Sequence, residues 1–460
     1  MIQYGRHRFL LLLILLFASC VSYTVRHSSF LETFLREDFL LAQKELLKTE
    51  KSSEKRNKSL YLLEKSHLEL ITGNADAAHK SFIKADEYIQ SIVADPSSDL
   101  LALISNPQVK VYEPEGHELV MMHYYHALAL INQGRFESAL VECRRMNLQL
   151  QKLNSSGNSL RKYNEDAFGH LLMGLVYEVT GDFNNAFIAY RNALKFFEGS
   201  YAELFSSEIP EFIKHSLVRA AKASGLKTEA EYYSTSFGIA EMPKEAARLI
   251  LLIETGKGPR KSEARFQFAF HQSGDRINFN NYDRNINFSY PSSAIGAIDQ
   301  INLQKLQMYQ IAFPVYRDLD DRFNLDELII NGNRVKADLV QPLALVAQQS
   351  LRDRFINNFS EAFLRLAIKK AAEHALSSQS KDLSSGIQMI NALTEKADLR
   401  SWSTLPSNVF LVSLPLNHGM NEFTIQIPGN NGAVRTEVVR IDASRGRTYI
   451  KNMRIINATR

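Results

Sequence analysis

Apolar residues recur at three- and four-residue steps over residues 30–237, where proline is scarce, so this half reads as helix after helix. The rhythm changes near Pro243. Residues 248–254 form a short β-type apolar run, broken at Gly256-Lys257-Gly258-Pro259 and followed by an alternating run over 264–270, which predicts a hairpin. Residues 272–293 carry neither period and are expected to be a long surface loop, with Phe279, Tyr282, Phe288 and Tyr290 pinning it or forming a contact surface. Strand signals resume over 308–316, and 328–340 reads as a hairpin around Asn331-Gly332-Asn333. Pro342 opens a helix expected over about 342–374, with Phe355, Phe359, Phe363 and Leu366 on its core face. A β segment is expected over about 408–456. There Phe423, Ile425 and Ile427 alternate with polar residues, and Val434, Thr436 and Val438 are expected to repeat that rhythm with one wet face.

Overlaying the helices exposes a repeat. Its clearest copy holds Met173, Gly174, Tyr177, Gly181, Phe183, Ala186, Tyr190 and Ala193, the small and aromatic positions of a tetratricopeptide unit. Gly174 and Ala186 let two helices approach, Gly181 serves the turn, and Asp182 is placed to cap the second helix. Weaker copies hold Gly73, Ala78, Phe82 and Ala85, then Ala127, Gly134, Phe136 and Ala139, then Leu217, Gly225 and Ala230. The turn glycines are 61, 47 and 44 residues apart, so the array is irregular, with inserts expected at 95–116 and 154–158. The fold class is therefore an irregular tetratricopeptide-like α-solenoid over 30–240, followed by a mixed α+β domain over 245–460. Stacked helical pairs make a concave surface suited to a protein segment; the alternative is that the array only braces the second half.

The first residues address the chain. Arg6 and Arg8 precede the apolar run 9–17, and Ala18, Ser19 and Cys20 follow. That run is too short to span a bilayer and reads as a signal peptide over 1–19. A cysteine after small residues resembles a bacterial lipoprotein processing site, which implies lipidation (palmitate) of Cys20 and a tether over 20–29. Without Asp after the cysteine, the resemblance implies the outer membrane, facing the periplasm. The alternative is a plain signal peptide or an uncleaved anchor.

Composition narrows the classes. Without residues 1–19 the chain has 52 basic and 50 acidic residues, a net charge of +2, so bulk attraction to nucleic acid is not expected. Cys143 is then the one remaining thiol, which excludes an internal disulfide, and its apolar helical setting points to packing rather than reactivity. No phosphate loop, dinucleotide fingerprint, HExxH or Gly-x-Ser-x-Gly elbow occurs, so no catalytic residue, cofactor or metal is assigned, no small-molecule substrate is identified, and the chain is not expected to be an enzyme. Two constellations stay open. His117, His123 and His126 could present a metal-binding face or be ordinary half-exposed histidines. Asp318, Asp320 and Asp321, flanked by Arg317 and Arg322, could hold a cation or act as paired carboxylates, against a solvated ion-paired turn. The surplus Arg435, Arg440, Arg445, Arg447, Lys451, Arg454 and Arg460 could meet anionic glycan or lipid, or line wet strand faces.

The stretch Ala397-Asp398-Leu399-Arg400-Ser401-Trp402-Ser403-Thr404-Leu405-Pro406 contains the single Trp, read as a strand-entry anchor beside Arg400. With the signal cysteine, the irregular repeats and the region 254–259, it resembles a family of bacterial repeat-containing lipoproteins. That family has no assigned reaction, and some members lie in gene clusters beside lipoproteins that activate peptidoglycan synthases. The resemblance implies a cell-envelope lipoprotein that binds an envelope protein as adaptor or assembly factor through its helical groove. The alternatives are a ligand-binding or hydrolytic module in the second half, with a cleft near 318–322, and a structural membrane-to-wall link.

Overall fold

The computed structural model describes residues 23–54, 56–93, 110–155, 166–239, 247–281, 286–291, 307–317, 323, 325, 328–353, 397–429, 432–444 and 446–457. Helices come first. α1 (Tyr23–Leu35), α2 (Phe39–Lys48) and the single turn α3 (Glu50–Ser53) precede the pairs α4 (Lys58–Ile71) with α5 (Ala75–Val93), α6 (Gly116–Asn132) with α7 (Phe136–Ser155), and α8 (Ala167–Val179) with α9 (Phe183–Phe196). A π-helical turn and α10 (Ala202–Phe205) lead into the pair α11 (Glu211–Ala223) and α12 (Lys227–Phe237). This is a tetratricopeptide-like array. The turn glycines Gly73, Gly134, Gly181 and Gly225 all have φ between 70° and 84°, a region that a Cβ disfavours. Asp182 caps α9, accepting from the Asn185 N–H at 3.2 Å. A Cβ at Gly174 would lie 2.5 Å from the Tyr190 ring, so Gly174→Ala should destabilise by about 1–3 kcal/mol through overpacking, checked as a lowered urea midpoint. The tether expected over 20–29 is helical from Tyr23 onward.

Three sheets follow. β1 (Ala247–Thr255), β8 (Asp338–Gln341), β9 (Asn408–Leu416) and β12 (Thr448–Ile455) form the first, in the order β12-β1-β9-β8. β6 (Leu328–Ile330), β7 (Asn333–Val335), β10 (Gly419–Pro428) and β11 (Val434–Ala443) form the second, in the order β11-β10-β6-β7. β2 (Arg260–Ser273), β3 (Arg276–Asn281), β4 (Ile286–Pro291) and β5 (Gln307–Arg317) form the third. The Asn331-Gly332 hairpin is present, with φ of 49° and 81° at its two turn residues.

Two expectations about residues 254–293 are corrected. β1 and β2 do not pair: β1 lies between antiparallel β9 and parallel β12, so the region 254–259 joins two sheets. Residues 276–281 and 286–291 are strands rather than loop, because β3 satisfies its backbone against both β2 and β4 although its sequence carries no clean alternation.

β1 is central and buried on both faces, which explains its unbroken apolar run. Ile250 and Leu252 join Val409, Leu411, Trp402 and the helical array in one core. Leu249, Leu251 and Ile253 join Phe423, Ile425, Ile427, Val439 and Ile441 in a second. The body is thus three layers: helices, first sheet, second sheet. In β11 the buried parity is the reverse of that expected. Val434 and Val438 are exposed, while Arg435, Val439, Ile441 and Ala443 face inward, because Val439 lies opposite Phe423 in the ladder. Helix α13 (Leu343–Asp353) follows Pro342; the rest of the helix expected to about 374 lies outside the described residues.

Candidate functional site

Buried carboxylates tie the helical array to the sheets. Glu254 ends the apolar run of β1 with both side-chain oxygens under the array, accepting from the Tyr124 hydroxyl at 2.9 Å and the Tyr125 hydroxyl at 3.1 Å. Burial lifts its carboxyl to about 7, although Arg454 and the two tyrosines pull the other way. Glu178 on α8 accepts from Arg248 Nε and Thr448 Oγ1, each at 2.8 Å, and pairs with Arg219. Glu118 on α6 accepts the Trp402 N–H at 2.7 Å, and Glu64 on α4 accepts the Ser403 hydroxyl at 2.6 Å. Glu37, at φ 60° after α1, takes the Arg435 guanidinium and the N–H groups of Ile456 and Asn457 at 2.7 and 2.9 Å. Asp338 on β8 accepts the N–H groups of Glu211 and Phe212 at 3.1 and 2.7 Å, capping α11 from outside.

Apart from those of Glu37, which sits in the turn between α1 and α2, these contacts involve the first helix of each pair. That surface, expected to hold a partner, is occupied by the chain's own sheet. Trp402 is fully buried there, its indole N–H donating to Thr404 at 2.7 Å. Arg400 beside it pairs with Asp398, donates to Asn57 at 2.9 Å and lies 5.3 Å from the Tyr112 ring centre. Sequence reasoning found Trp402 and Arg400 but missed the glutamates. Their one local signal is an acid inside an apolar stretch, as at Glu254, since a buried charge requires partners.

The histidines are buried rather than half-exposed. His117 meets the Tyr316 ring edge-on, with centroids 5.8 Å apart. His123 Nδ1 lies 2.7 Å and His126 Nδ1 3.3 Å from one oxygen of Glu142, while His126 Nε2 lies 2.7 Å from His79 Nδ1. Arg135 can only donate, and its Nη1 is 2.8 Å from His79 Nε2. His79 therefore carries its proton on Nδ1 and donates to His126, which carries its own on Nδ1 toward Glu142. Burial would raise the Glu142 carboxyl, but hydrogen bonds from His123 and His126 hold it well below the usual range. Two nitrogens bound to one zinc ion stand about 3.3 Å apart. The His79–His126 gap of 2.7 Å fits a shared proton instead. Among the described residues no group of three or more His, Cys, Asp or Glu is arranged to hold a metal.

Burial, then His126 and Arg135, lower the His79 imidazole. Arg135→Ala should raise it and release the tautomer, read from imidazole ¹⁵N shifts during a pH titration.

Cys143 is buried, and burial pushes its thiol up. Cys20, Asp318, Asp320, Asp321, Arg322, Arg445 and Arg460 lie outside the described residues. Of the basic surplus, Arg440 and Lys451 are exposed, whereas Arg435 and Arg454 are buried in ion pairs and carbonyl contacts. No described helix is long and apolar enough to cross a membrane.

Two adjoining clefts remain open to solvent. One, of about 430 Å³, is lined by Phe39, Leu70, Ile71, Asn132 and by β12 from Lys451 to Arg454. The other, about 760 Å³, is lined by Arg36–Leu40, Ile71 and Thr72. Beside them α2 leaves Leu40 67% and Leu47 46% exposed, seven residues apart on one helix face.

The fold defines a helical-repeat array clamped onto a layered β body. Among solved structures it is similar to MamA, at 17% identity over 48% of this chain and 97% of that one, TM-score 0.30. It is also similar to the apo form of RapI, at 12% identity over 50% of this chain and 58% of that one, TM-score 0.34. A tetratricopeptide repeat protein from Parabacteroides merdae gives 11% identity, 48% and 80% coverage, and a TM-score of 0.22. No family model matches the chain, and no curated protein does.

Proposed function

We propose that the protein is a cell-envelope adaptor, held at the membrane by lipid on Cys20 and binding another protein through its helical end. The observation that carries this reading is the pair of clefts at the start of α2, where Leu40 lines one cleft and stays exposed, with Leu47 exposed about two turns further along the same helix face. Large apolar side chains grouped beside a cleft mark interaction surfaces. The resemblance to repeat-containing lipoproteins supports placing the partner in peptidoglycan or outer-membrane assembly. The array then acts as a rigid platform.

The test is photo-crosslinking in intact cells, with the reactive residue placed at Leu40, Leu47 or, as a remote control, Tyr232, in native and Cys20→Ala forms. One dominant protein captured from α2, and neither from Tyr232 nor after loss of Cys20, is the expected result. Equal capture from all three positions would overturn the reading.

A further inference from the structure

We infer that the outer edge of β12 is a docking site for an extended peptide segment, which would join the first sheet as a fifth strand. The inference rests on the adaptor reading and names how its partner binds.

Among the described residues β12 is the outermost strand of its sheet, paired in parallel with β1 on one side. The direction of its backbone groups follows from the two ends of that ladder. The Arg248 N–H donates to the Arg447 carbonyl at 3.0 Å, and the Gly256 N–H to the Ile455 carbonyl at 2.8 Å. Alternation along the strand therefore turns residues 447, 449, 451, 453 and 455 toward β1. It turns the N–H and C=O groups of Thr448, Ile450 and Asn452 away from it. Ile456 belongs to the outward set, and its N–H is met by the Glu37 carboxylate at 2.7 Å. A buried side chain thus closes the edge at one end and defines where an added strand would stop. Such outward rows of backbone donors and acceptors are templates for strand addition.

The cleft of about 430 Å³ lies along this stretch, with Lys451, Asn452, Met453 and Arg454 on one wall and Phe39, Leu70, Ile71 and Asn132 among the residues lining the rest. Its charge selects the occupant. Arg435 is neutralised by Glu37 and Glu437, and Arg454 spreads onto the Gly256 and Leu405 carbonyls at 2.7 and 2.9 Å. Exposed Lys451 donates to the Arg440 carbonyl at 3.2 Å, leaving a positive rim without a carboxylate partner among the described residues. The fitting segment alternates β-branched or other apolar residues with polar ones and carries an acidic residue opposite Lys451. A bilayer fits less well. The lipid would sit before Tyr23, whereas the cleft adjoins the far end of α1, thirteen residues or about 20 Å along the helix.

The test uses the full mature chain with Cys20→Ser and a displayed library of random decapeptides. Enriched peptides should alternate as described and include Asp or Glu. One of them, made with alternate backbone N-methyl groups, should bind at least tenfold more weakly, because it cannot complete the ladder. Lys451→Glu, an exposed change, should weaken the unmethylated peptide at least tenfold while leaving the thermal midpoint unchanged. Bound peptide should slow amide exchange at Thr448, Ile450 and Asn452.

Binders indifferent to both N-methylation and Lys451→Glu, or no enrichment, would overturn the inference. So would a Lys451→Glu effect seen on anionic phosphatidylglycerol vesicles but not on peptides. If α2 still captures its partner in cells from the Lys451→Glu protein, the strand-addition site fails while the adaptor reading stands.

Discussion

An Arg435→Ala protein is expected to lose about 3–5 kcal/mol of stability, seen as a lower urea midpoint with an unchanged slope. The guanidinium is 5% exposed and gives Nη1 to the two Glu37 oxygens at 2.6 and 2.5 Å and Nε to Glu437 at 2.7 Å. Without it, Glu37 is left as a buried anion with two backbone N–H groups as its remaining partners among the described residues, and most of the desolvation of that charge goes uncompensated. Glu37→Gln made in the Arg435→Ala background should recover part of the loss, since an amide is cheaper to bury than a carboxylate. The double-mutant cycle should therefore show a coupling well above 1 kcal/mol. A loss below about 1 kcal/mol for Arg435→Ala would mean that the pair is solvated and does not clamp the two layers.

Glu254→Gln is expected to make the protein more stable at pH 8 than the native chain by about 3 kcal/mol, with the advantage vanishing below pH 4.5. Burial holds the carboxyl at about 7 in the fold against 4.5 when exposed, so between those values the folded chain binds the extra proton. Stability from this group is therefore fully present below 4.5 and is lost as pH rises through 7. His67, packed against Tyr125 and pushed down by burial and Arg454, has the opposite sign below 6.5, because there the unfolded chain binds the proton. The check is thus the difference between the two proteins in chemical denaturation from pH 4 to pH 8, read most directly above pH 6.5, where His67, whose Nε2 lies 4.0 Å from a Glu254 oxygen, is neutral in the fold. A difference that does not change with pH would show Glu254 titrating like an exposed acid.

Features set by a few neighbouring residues were legible in the sequence. A left-handed turn between helices needs glycine, and Gly73, Gly134, Gly181 and Gly225 all sit in such turns. Asn331-Gly332 likewise announced its hairpin. Features set across the ladder were not legible. Val434 and Val438 carry the β signal of β11, yet the register places Val439 and Ile441 against Phe423 and Asn421, and the two valines face water. Nor did local pattern reveal that β1 takes its neighbours from residues 408–416 and 448–455. The glutamates under the array are ordinary helix residues until the sheet arrives to meet them, so a single helix gives no reason to single out Glu64, Glu118 or Glu178. The carboxylate shared by His123 and His126 comes from the following helix, nineteen residues after His123.

Glu37 reaches Arg435 across 398 residues and Ile456 across 419. Local turns of the array can form early, but this closure needs both distant partners, and contacts of such high sequence separation are slow to make. A chain emerging from residue 1 onward must hold its α1–α2 turn unsatisfied until β11 and β12 have been delivered. Damage near residues 435–456 should then appear first as exposure of the opposite end: protease cuts at α1 and α2, far in sequence from the altered site.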